Sequence, residues 1–453
     1  TVLHFFAILF VLIIGKWNMI SFDLLVLSFA TLFPELVYGY KTYLKKDKYE
    51  EIVNKKNNGL VLSYKEMDMY FNAYLNNNIN DEVMTKLLKA ICKKGLNDKE
   101  IIDLTDIFIK SGDTLNLDYL GVTVDKHSTG GVGDKTTLII APIVASLGIK
   151  VPKMSGRSLG FTGGTIDKLE SIPGFVTGLT KEQFIKELND IGMVVASQTD
   201  NLVPLDKVVY ALRDVSGTTE SIPLIAVSIM SKKIASGADK ILIDIKVGSG
   251  ALIKNKTDAD KLAELMKKIG SFYNREVRCM ITNMDAPLGY CIGNSIEVIE
   301  AIKILQNEEH SKLSELCIDL ATEMVSMGKE INTDLARQLV EESITSKKAF
   351  KKFLEFVKCQ NGDINSLTLS NNIIEIKADK DGIVKEIPAN DIGLLSVSMG
   401  AGREKKDDVI NPTVGIKLNK VVGSRVKKGD LLCTLYVNKE IDEEKVRNIF
   451  VIA

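Results

Sequence analysis

Apolar residues recur at helical spacing through residues 46–115, in short amphipathic segments with recognisable ends. Ser63 and Glu66 have the spacing of a capping box and predict a helix over 65–75. Asn80 predicts the start of a second helix, which Gly95 ends, and a third is predicted over 99–110. Together these segments predict a small all-α domain at 46–115, and none of them carries a catalytic cluster.

From residue 117 the pattern changes to apolar strands, glycine-rich loops and helices in alternation. An apolar run at 117–124 predicts a strand, 125–137 is a glycine-rich turn, and 138–147 predicts the next helix. A second strand at 149–151 leads into a second glycine-rich loop at 153–165. Further strands are predicted at 240–246 and 277–282, and helices at 206–238, 258–272 and 295–305. This alternation predicts a larger α/β domain with a mostly parallel sheet at 116–345, and the helical segment 206–238 is assigned to the small all-α domain.

The last hundred residues carry a β pattern after a helical stretch at 312–360. Apolar strands are predicted at 373–378, 382–387, 414–418 and 431–436, with a hairpin turn at 426–430. The predicted C-terminal α+β domain, 346–453, has a β-rich part similar to the barrel-sandwich of biotinyl and lipoyl carriers. It lacks their Met-Lys-Met acceptor, so no carrier role is assigned.

Composition and charge narrow the function classes. The formal net charge of −1 gives no electrostatic case for binding nucleic acid polymers. The six cysteines are scattered without a C-x-x-C pair. This spacing argues against zinc and against a disulfide scaffold, and it favours a reducing compartment such as the cytoplasm.

Residues 1–45 differ from the rest of the chain. Two apolar stretches, 2–14 and 20–37, are followed by several lysines. By length the segment suits a membrane anchor, and the alternative is an extension that is not part of the working protein. Membrane contact is expected only if this segment belongs to the protein.

The glycine-rich stretch at 125–137 has the residues of an anion cradle. Its glycines allow backbone N–H groups to converge on a ligand, and the helix that follows adds unpaired donors. Lys126, Ser128 and Thr137 add a charge and two hydroxyls, and His127 is a candidate acid or base. The spacing matches neither a Walker A loop nor the dinucleotide fingerprint, and the alternative is a plain connection in an α/β sheet.

The second loop offers hydroxyls of its own, Ser155 and Thr165. If both strands are parallel in one sheet, both loops emerge at the same edge and clamp one phosphate from two sides.

The helical segment 206–238 carries a face suited to a flat ring with carbonyl oxygens. Tyr210 and Arg213 share one face, and so do Ile225, Ser228, Ile229 and Lys232. Apolar groups sandwich such a ring while the donors contact its edge. An ordinary solvated helix face is the alternative.

Four motifs together resemble the thymidine/pyrimidine-nucleoside phosphorylase family. They are Lys126-His-Ser-Thr-Gly-Gly-Val-Gly-Asp134, Ser155-Gly-Arg-Ser-Leu-Gly-Phe-Thr-Gly-Gly-Thr-Ile-Asp-Lys-Leu-Glu170, Ala211-Leu-Arg-Asp214 and Ser228-Ile-Met-Ser-Lys-Lys233. The resemblance runs from about residue 47 to the end, and Lys153-Met154 favours the pyrimidine-nucleoside branch. It implies a homodimer that catalyses reversible phosphorolysis of uridine, thymidine and deoxyuridine, with inorganic phosphate as co-substrate and no organic cofactor. Strict thymidine phosphorylase, a related phosphoribosyltransferase and a binding protein without catalysis are the alternatives.

The resemblance also implies roles for individual residues. Phosphate would be held by Lys126, Ser128, Thr137, Lys153, Ser155 and Thr165. The nucleoside would be held by Thr129, Leu159, Tyr210, Arg213, Ile225, Ser228, Ile229 and Lys232. His127, Arg213 and Lys232 would be catalytic, with His127 near the O2 atom of the base.

A potassium site is also implied, formed by backbone oxygens of Gly133, Leu288 and Cys291 and the carboxylate of Glu300. Lys135, however, stands where the potassium-binding branch often has threonine. Its ammonium is then placed to crowd or replace the ion. Phe161, Ser158 and Leu252 are further departures from the family pattern.

Overall fold

The computed structural model describes residues 48–157, 160, 163–405 and 408–453. The chain divides into two compact units, residues 1–100 and 101–453. The apolar extension predicted at 1–45 lies outside the described residues. Across the part of the chain that is described, no helix is long and apolar enough to cross a membrane.

The described part of the first unit is helical, as predicted. Residues 48–57 are helical and precede α1 (Tyr64–Leu75), α2 (Asp81–Lys94) and α3 (Asp98–Lys110), the last of which crosses the division between units. The capping box is present: the Ser63 side chain accepts from the Glu66 N–H, and the Glu66 carboxylate accepts from the Ser63 N–H at 2.7 Å. The predicted Asn80 cap and Gly95 end of α2 are also confirmed.

The second unit begins with an α/β region. Its elements are β1 (Val124–Ser128), α4 (Thr136–Ser146), β2 (Val151–Ser155), α5 (Thr165–Glu170), α6 (Lys181–Ile191), β3 (Met193–Ser197), α7 (Pro204–Ser216), α8 (Ile222–Ala235), β4 (Lys240–Val247), α9 (Lys256–Phe272), β5 (Glu276–Asn283) and β6 (Cys291–Gly293). The strands β1, β4 and β5 pair in parallel in the order β1-β4-β5, and β2 pairs in parallel with β3. A parallel bridge between Thr123 and Lys150 joins the two sets. The predicted parallel α/β sheet is confirmed.

The predicted strand at 117–124 is wrong, because the strand lies further along the chain. Residues 118–120 form a short 3₁₀ turn, and β1 begins only at Val124. Asp125 and Lys126 are therefore strand residues although they are charged. The pattern did not reveal this, because both are buried against partners distant in sequence: Lys233 pairs with Asp125, and Asp244 pairs with Lys126.

A layer of helices packs on α4 and encloses the main apolar core. These helices are α10 (Ser295–Leu305), α11 (Lys312–Lys329), α12 (Thr333–Thr345) and α13 (Lys348–Cys359). Every residue of α4 from Thr136 to Ala145 is buried, so the helix is apolar all round, as expected of a core helix. This packing holds the start of α4, and with it the glycine-rich loop, in a fixed place.

The C-terminal part forms two antiparallel sheets. Its elements are β7 (Asn372–Lys377), β8 (Gly382–Glu386), α14 (Ala389–Met399), β9 (Gly415–Leu418), β10 (Arg425–Val426), β11 (Leu431–Val437), α15 (Glu443–Arg447) and β12 (Val451–Ile452). The strand orders are β6-β9-β11-β7 and β10-β8-β12. The predicted hairpin at 426–430 is wrong: this turn connects β10 to β11, which lie in different sheets. Because β6 pairs with β9, the C-terminal part also anchors the segment before α10.

Candidate active site

The carboxyl ends of β1, β2 and β4 lie at one edge of the parallel strands. Ser128 at the end of β1 is beside Asp244 of β4, and the bridge at Thr123 and Lys150 places β2 parallel to β1. Both glycine-rich loops therefore begin at the same edge, where open α/β sheets bind ligands.

Lys233 of α8 joins the two strands that precede these loops. Its Nζ donates to Asp125 Oδ2 of β1 at 2.6 Å and to the Met154 carbonyl oxygen of β2 at 3.3 Å. A helix from the segment 206–238 is thereby tied to both strand ends.

A chain of short hydrogen bonds organises the first loop. Ser128 Oγ donates to Asp134 Oδ2 at 2.5 Å, Thr136 Oγ1 donates to Asp134 Oδ1 at 2.5 Å, and Lys126 Nζ donates to Thr136 Oγ1 at 2.6 Å. Burial alone would raise the pKa of Asp134, but Lys126, Lys246 and the two hydroxyls hold it well below its usual range. Asp134 is thus a permanent anion that orients the loop's donors.

Two further threonines of this loop, Thr129 and Thr137, are held in defined positions by neighbouring elements. Thr129 is fixed to β4, since its N–H donates to the Asp244 carbonyl at 3.1 Å and its Oγ1 accepts from the Lys246 N–H at 2.9 Å. Thr137 lies in the first turn of α4 and is buried. The first turn of a helix is where unpaired N–H groups favour an anion.

Three buried lysines converge beneath the loops. Lys126, Lys153 and Lys233 are each 3–4% exposed, and Asp125 is the carboxylate paired with Lys233. Burial lowers the pKa of Lys153 well below its ordinary value, and Lys233 and Lys126 lower it further. Such a group is most stable with an anion beside it.

His127 lies among the positive charges of these lysines. Burial lowers the pKa of His127 well below 6.5, and the charges of Lys233, Lys153, Lys232 and Lys126 lower it further. The imidazole is therefore neutral at pH 7, with one N–H donor and one acceptor nitrogen.

Lys232 projects from α8 beside the polar groups predicted for the base. Its Nζ donates to Asp206 Oδ2 at 2.5 Å and to Ser228 Oγ at 3.1 Å, and it lies 5.7 Å from the centre of the Tyr210 ring. Lys233, the next residue on α8, bonds Asp125 of β1, so α8 packs against the strand that carries His127 and leads into the first loop.

Three of the four side chains predicted to enclose the base lie within the described residues. Ile225 and Ile229 are buried on α8, at 5% and 6% exposure, while Tyr210 is 44% exposed on α7. Leu159 lies outside the described residues.

Arg213 is bound to backbone carbonyls in this structure. Its guanidinium donates to Thr218 at 3.1 Å, Thr219 at 2.8 Å and Leu224 at 3.2 Å. It therefore shapes the turn between α7 and α8, and its side chain is nearly fully buried.

The second loop is anchored by the C-terminal part. Ser155 ends β2 and Thr165 begins α5, and Arg403 Nη1 donates to Asp167 Oδ1 of α5 at 2.8 Å. The Gly160 N–H donates to the Arg403 carbonyl at 3.0 Å. Ser158 and Phe161 lie outside the described residues.

Comparison with known proteins identifies the family. Sequence models match three consecutive regions: "Glycosyl transferase family, helical bundle domain" at residues 50–112, "Glycosyl transferase family, a/b domain" at 120–350 and "Pyrimidine nucleoside phosphorylase C-terminal domain" at 383–450. The pyrimidine-nucleoside phosphorylase of Bacillus subtilis (strain 168) is 46% identical over 408 residues, which cover 88% of this chain and 94% of that protein. The chain belongs to the pyrimidine-nucleoside phosphorylase family.

A second relative supports the same family. The pyrimidine-nucleoside phosphorylase of Geobacillus stearothermophilus is 44% identical over 404 residues, covering 87% of this chain and 93% of that protein. Among solved structures, anthranilate phosphoribosyltransferase from Thermus thermophilus aligns with a TM-score of 0.53 at 17% identity, over 68% of this chain and 99% of that one. A likeness at that identity shows the shared fold alone.

The positions implied for potassium come together, but their oxygens already have a cation. Lys135 Nζ lies 2.8 Å from the Leu288 carbonyl, 2.8 Å from the Cys291 carbonyl and 2.7 Å from Glu300 Oε2. Gly133 is adjacent: a Cβ atom there would lie 2.6 Å from the Leu288 oxygen. These residues do not fit a potassium ion while Lys135 is present, because the ion would compete with an ammonium for the same oxygens.

Sequence reasoning missed the acidic partners of the site. Asp206 holds Lys232, Asp244 pairs with Lys126, and Asp134 orients Ser128. Asp206 lies four residues before Tyr210 on α7, so helical spacing offered a signal for it. Asp244 offered none, since it lies in a strand far along the chain from Lys126.

Proposed function

We propose that this chain is a pyrimidine-nucleoside phosphorylase that catalyses reversible phosphorolysis of uridine, thymidine and deoxyuridine to the free base and (deoxy)ribose 1-phosphate. The supporting observation is the joint placement of two groups of residues. Lys232 and Ser228 form a polar pair on α8, and the adjacent Lys233 bonds Asp125, two residues before His127 on the strand that leads into the first loop. The residues proposed to bind the base and those proposed to bind the phosphate are thus parts of one site.

The lysines and hydroxyls at the strand ends hold the phosphate. Lys126 and Lys153 supply charge, and Ser128, Thr137, Ser155 and Thr165 supply hydroxyls. Binding phosphate in this orientation places its oxygen for attack on C1′ and provides an anion next to the developing oxocarbenium ion. The C1′–N1 bond breaks with its electron pair moving to the pyrimidine, and the proton of hydrogen phosphate ends on the released base.

Lys232, Arg213 and His127 act on the leaving base. The Lys232 ammonium and the Arg213 guanidinium stabilise negative charge as it develops on the pyrimidine. Neutral His127 donates a hydrogen bond to the O2 atom, and a bound phosphate dianion raises its pKa by opposing the four lysine charges. Ile225, Ile229, Tyr210 and Leu159 enclose the ring, and Thr129 contacts the nucleoside.

The proposed enzyme is a cytoplasmic homodimer with phosphate as its co-substrate and no organic cofactor. The homodimer follows from the family resemblance. All six cysteines are free thiols, which suits a reducing compartment. Potassium is not among the proposed components, because Lys135 already binds the oxygens that would hold it.

One assay tests the proposal. Purified protein is incubated with uridine, thymidine or deoxyuridine, with and without phosphate, and release of uracil or thymine is measured. Phosphate-dependent release from all three is expected. Release from the two deoxyribonucleosides alone would indicate a strict thymidine phosphorylase instead. No release from any nucleoside would contradict the proposal, and turnover of a free base only with 5-phosphoribosyl pyrophosphate and Mg²⁺ would favour a phosphoribosyltransferase.

A further inference from the structure

Lys135 has the surroundings of a bound cation. Its side chain is fully buried, and its three ammonium protons face three oxygens: the Leu288 and Cys291 carbonyls at 2.8 Å and Glu300 Oε2 at 2.7 Å. An ammonium has three donors and no acceptor, so these contacts use its full capacity.

The oxygens belong to a loop folded around one carboxylate. Glu300 of α10 accepts from the Tyr290 N–H at 2.6 Å and from the Cys291 N–H at 2.9 Å. Gly289 leaves no room for a side chain there, since a Cβ atom would lie 2.4 Å from Glu300 Oε1. Two backbone carbonyls and a carboxylate in one cage are the oxygen donors that hard cations prefer.

The charge at this place is balanced inside the protein. Two carboxylates face the Lys135 ammonium: Glu300 Oε2 lies 2.7 Å from its Nζ and Glu297 Oε2 lies 4.0 Å from it. Glu297 Oε2 also lies 3.4 Å from Lys168 Nζ, so two buried lysines oppose two buried glutamates.

The contact ties together the segments that build the phosphate loop. Lys135 is the residue just before α4, and the Leu288 N–H donates to the Val132 carbonyl at 3.0 Å. The ammonium thus fixes the first glycine-rich loop against the loop at 288–291. Lys168 extends the same cluster to the second loop, because a Cβ atom on Gly163 would lie 2.5 Å from its Nζ.

We propose that Lys135 is a built-in substitute for a monovalent cation, so that this chain organises its phosphate loop without potassium. A metal ion in the same cage would meet the ammonium at bonding distance in a buried site, where like charges repel strongly. Lys135 acts through the loop and not on the substrate, so it is a positioning residue.

The test measures thermal stability in matched chloride salts of potassium, sodium, lithium and choline. The wild-type Tm is expected to be the same in potassium, sodium and choline at equal ionic strength. The variant Lys135→Thr removes the ammonium and leaves the oxygen cage. Its Tm is expected to fall in choline chloride and to rise by about 3 °C or more when potassium, but not lithium, is added.

Two control variants separate a cation site from general destabilisation. Lys303→Thr makes the same substitution at an exposed position of α10 and is expected to show no preference among cations. Lys135→Met fills the space of the stem without charge, so its Tm is expected to fall in every salt, without rescue by potassium. Cation-specific rescue is the readout that a merely structural role would not produce.

A second measurement observes the ion directly, with thallium(I) as a spectroscopic substitute for potassium. Its NMR signal is expected to broaden with Lys135→Thr and to stay unchanged with wild-type protein. A wild-type Tm that rises specifically with potassium would overturn the proposal, and so would a folded Lys135→Thr indifferent to the cation. The wild-type measurements decide the matter even if Lys135→Thr does not fold. The readouts are independent of the proposed reaction, since neither measures turnover.

Discussion

At the scale of single residues, the chemistry of the site depends on cations whose partners are distant in sequence. Lys232 has Asp206, Lys233 has Asp125, and Lys126 has Asp244. Lys153 differs, because burial lowers its pKa and the charges of Lys233 and Lys126 lower it further. The carboxylate partners fix the positions of the first three lysines, whereas Lys153 is best stabilised by an incoming anion.

The Lys232→Ala variant is expected to lower kcat/KM by at least about 100-fold, since a charge-assisted contact in a desolvated site contributes about 3 kcal/mol. Steady-state phosphorolysis of thymidine measures the effect. Lys207→Ala, which removes an exposed lysine from the neighbouring helix α7, is the control and is expected to retain activity. Near-normal turnover by Lys232→Ala would contradict the proposal that α8 binds the base.

Phosphate binding is expected to take up protons at pH 8. Lys153 and His127 have lowered pKa values in the free protein, and a bound dianion raises both, so the complex holds more protons than the separate components. Titration calorimetry in two buffers of different ionisation enthalpy measures the uptake. Lys153→Met is expected to reduce it and to weaken phosphate binding about tenfold or more. A binding enthalpy that does not vary with the buffer would contradict this account.

At the scale of elements, the sequence predicted types and ends well where local chemistry sets them. The capped helices α1 and α2 follow their Ser63 and Asn80 signals, and the α10 helix lies where its periodicity placed it. The strand β1 was predicted too early in the chain, because its charged residues are buried by pairing with residues distant in sequence. The turn at 426–430 was predicted to be a hairpin because its residues are typical of a turn. Which strands pair on either side of a turn depends on the tertiary structure and cannot be read from the local sequence.

The close approach of the loops at Gly133 gives a stability prediction. Gly133→Ala places a Cβ atom 2.6 Å from the Leu288 oxygen at a φ of +73°, whereas Gly217→Ala meets nothing within 4 Å at a φ of +68° in the left-handed helical region. The second variant carries backbone strain of about 1–2 kcal/mol alone. Gly133→Ala is expected to lower the free energy of unfolding further, as measured by urea denaturation. Equal losses in the two variants would show that the approach of Leu288 imposes no constraint.

At the scale of the whole molecule, ligand binding and folding of the second unit are linked. Phosphate that binds only the folded state is expected to raise its Tm in a concentration-dependent manner, by the equivalent of about 2.7 kcal/mol at a hundred times Kd. Ser155→Ala removes one proposed phosphate ligand at the end of β2. Its Tm without phosphate is expected to match wild type, while the increase with phosphate is smaller. Calorimetric scans check this, and an undiminished increase would exclude Ser155 from the phosphate site.

By itself the sequence determined the family, the succession of a helical, an α/β and a β-rich region, and the presence of the two glycine-rich loops. Those features depend on local patterns and on long contiguous motifs such as the one from Lys126 to Asp134. Only the tertiary structure decided which charges meet. Burial requires a partner for each charge, and Lys126, Lys135 and Lys233 each find a carboxylate on another element of the fold. The sequence showed that Lys135 stands near the residues implied for potassium, but not what its ammonium contacts. The structure places its Nζ 2.7–2.8 Å from three oxygens, two from backbone carbonyls and one from a helix carboxylate, so Lys135 is itself the bound cation.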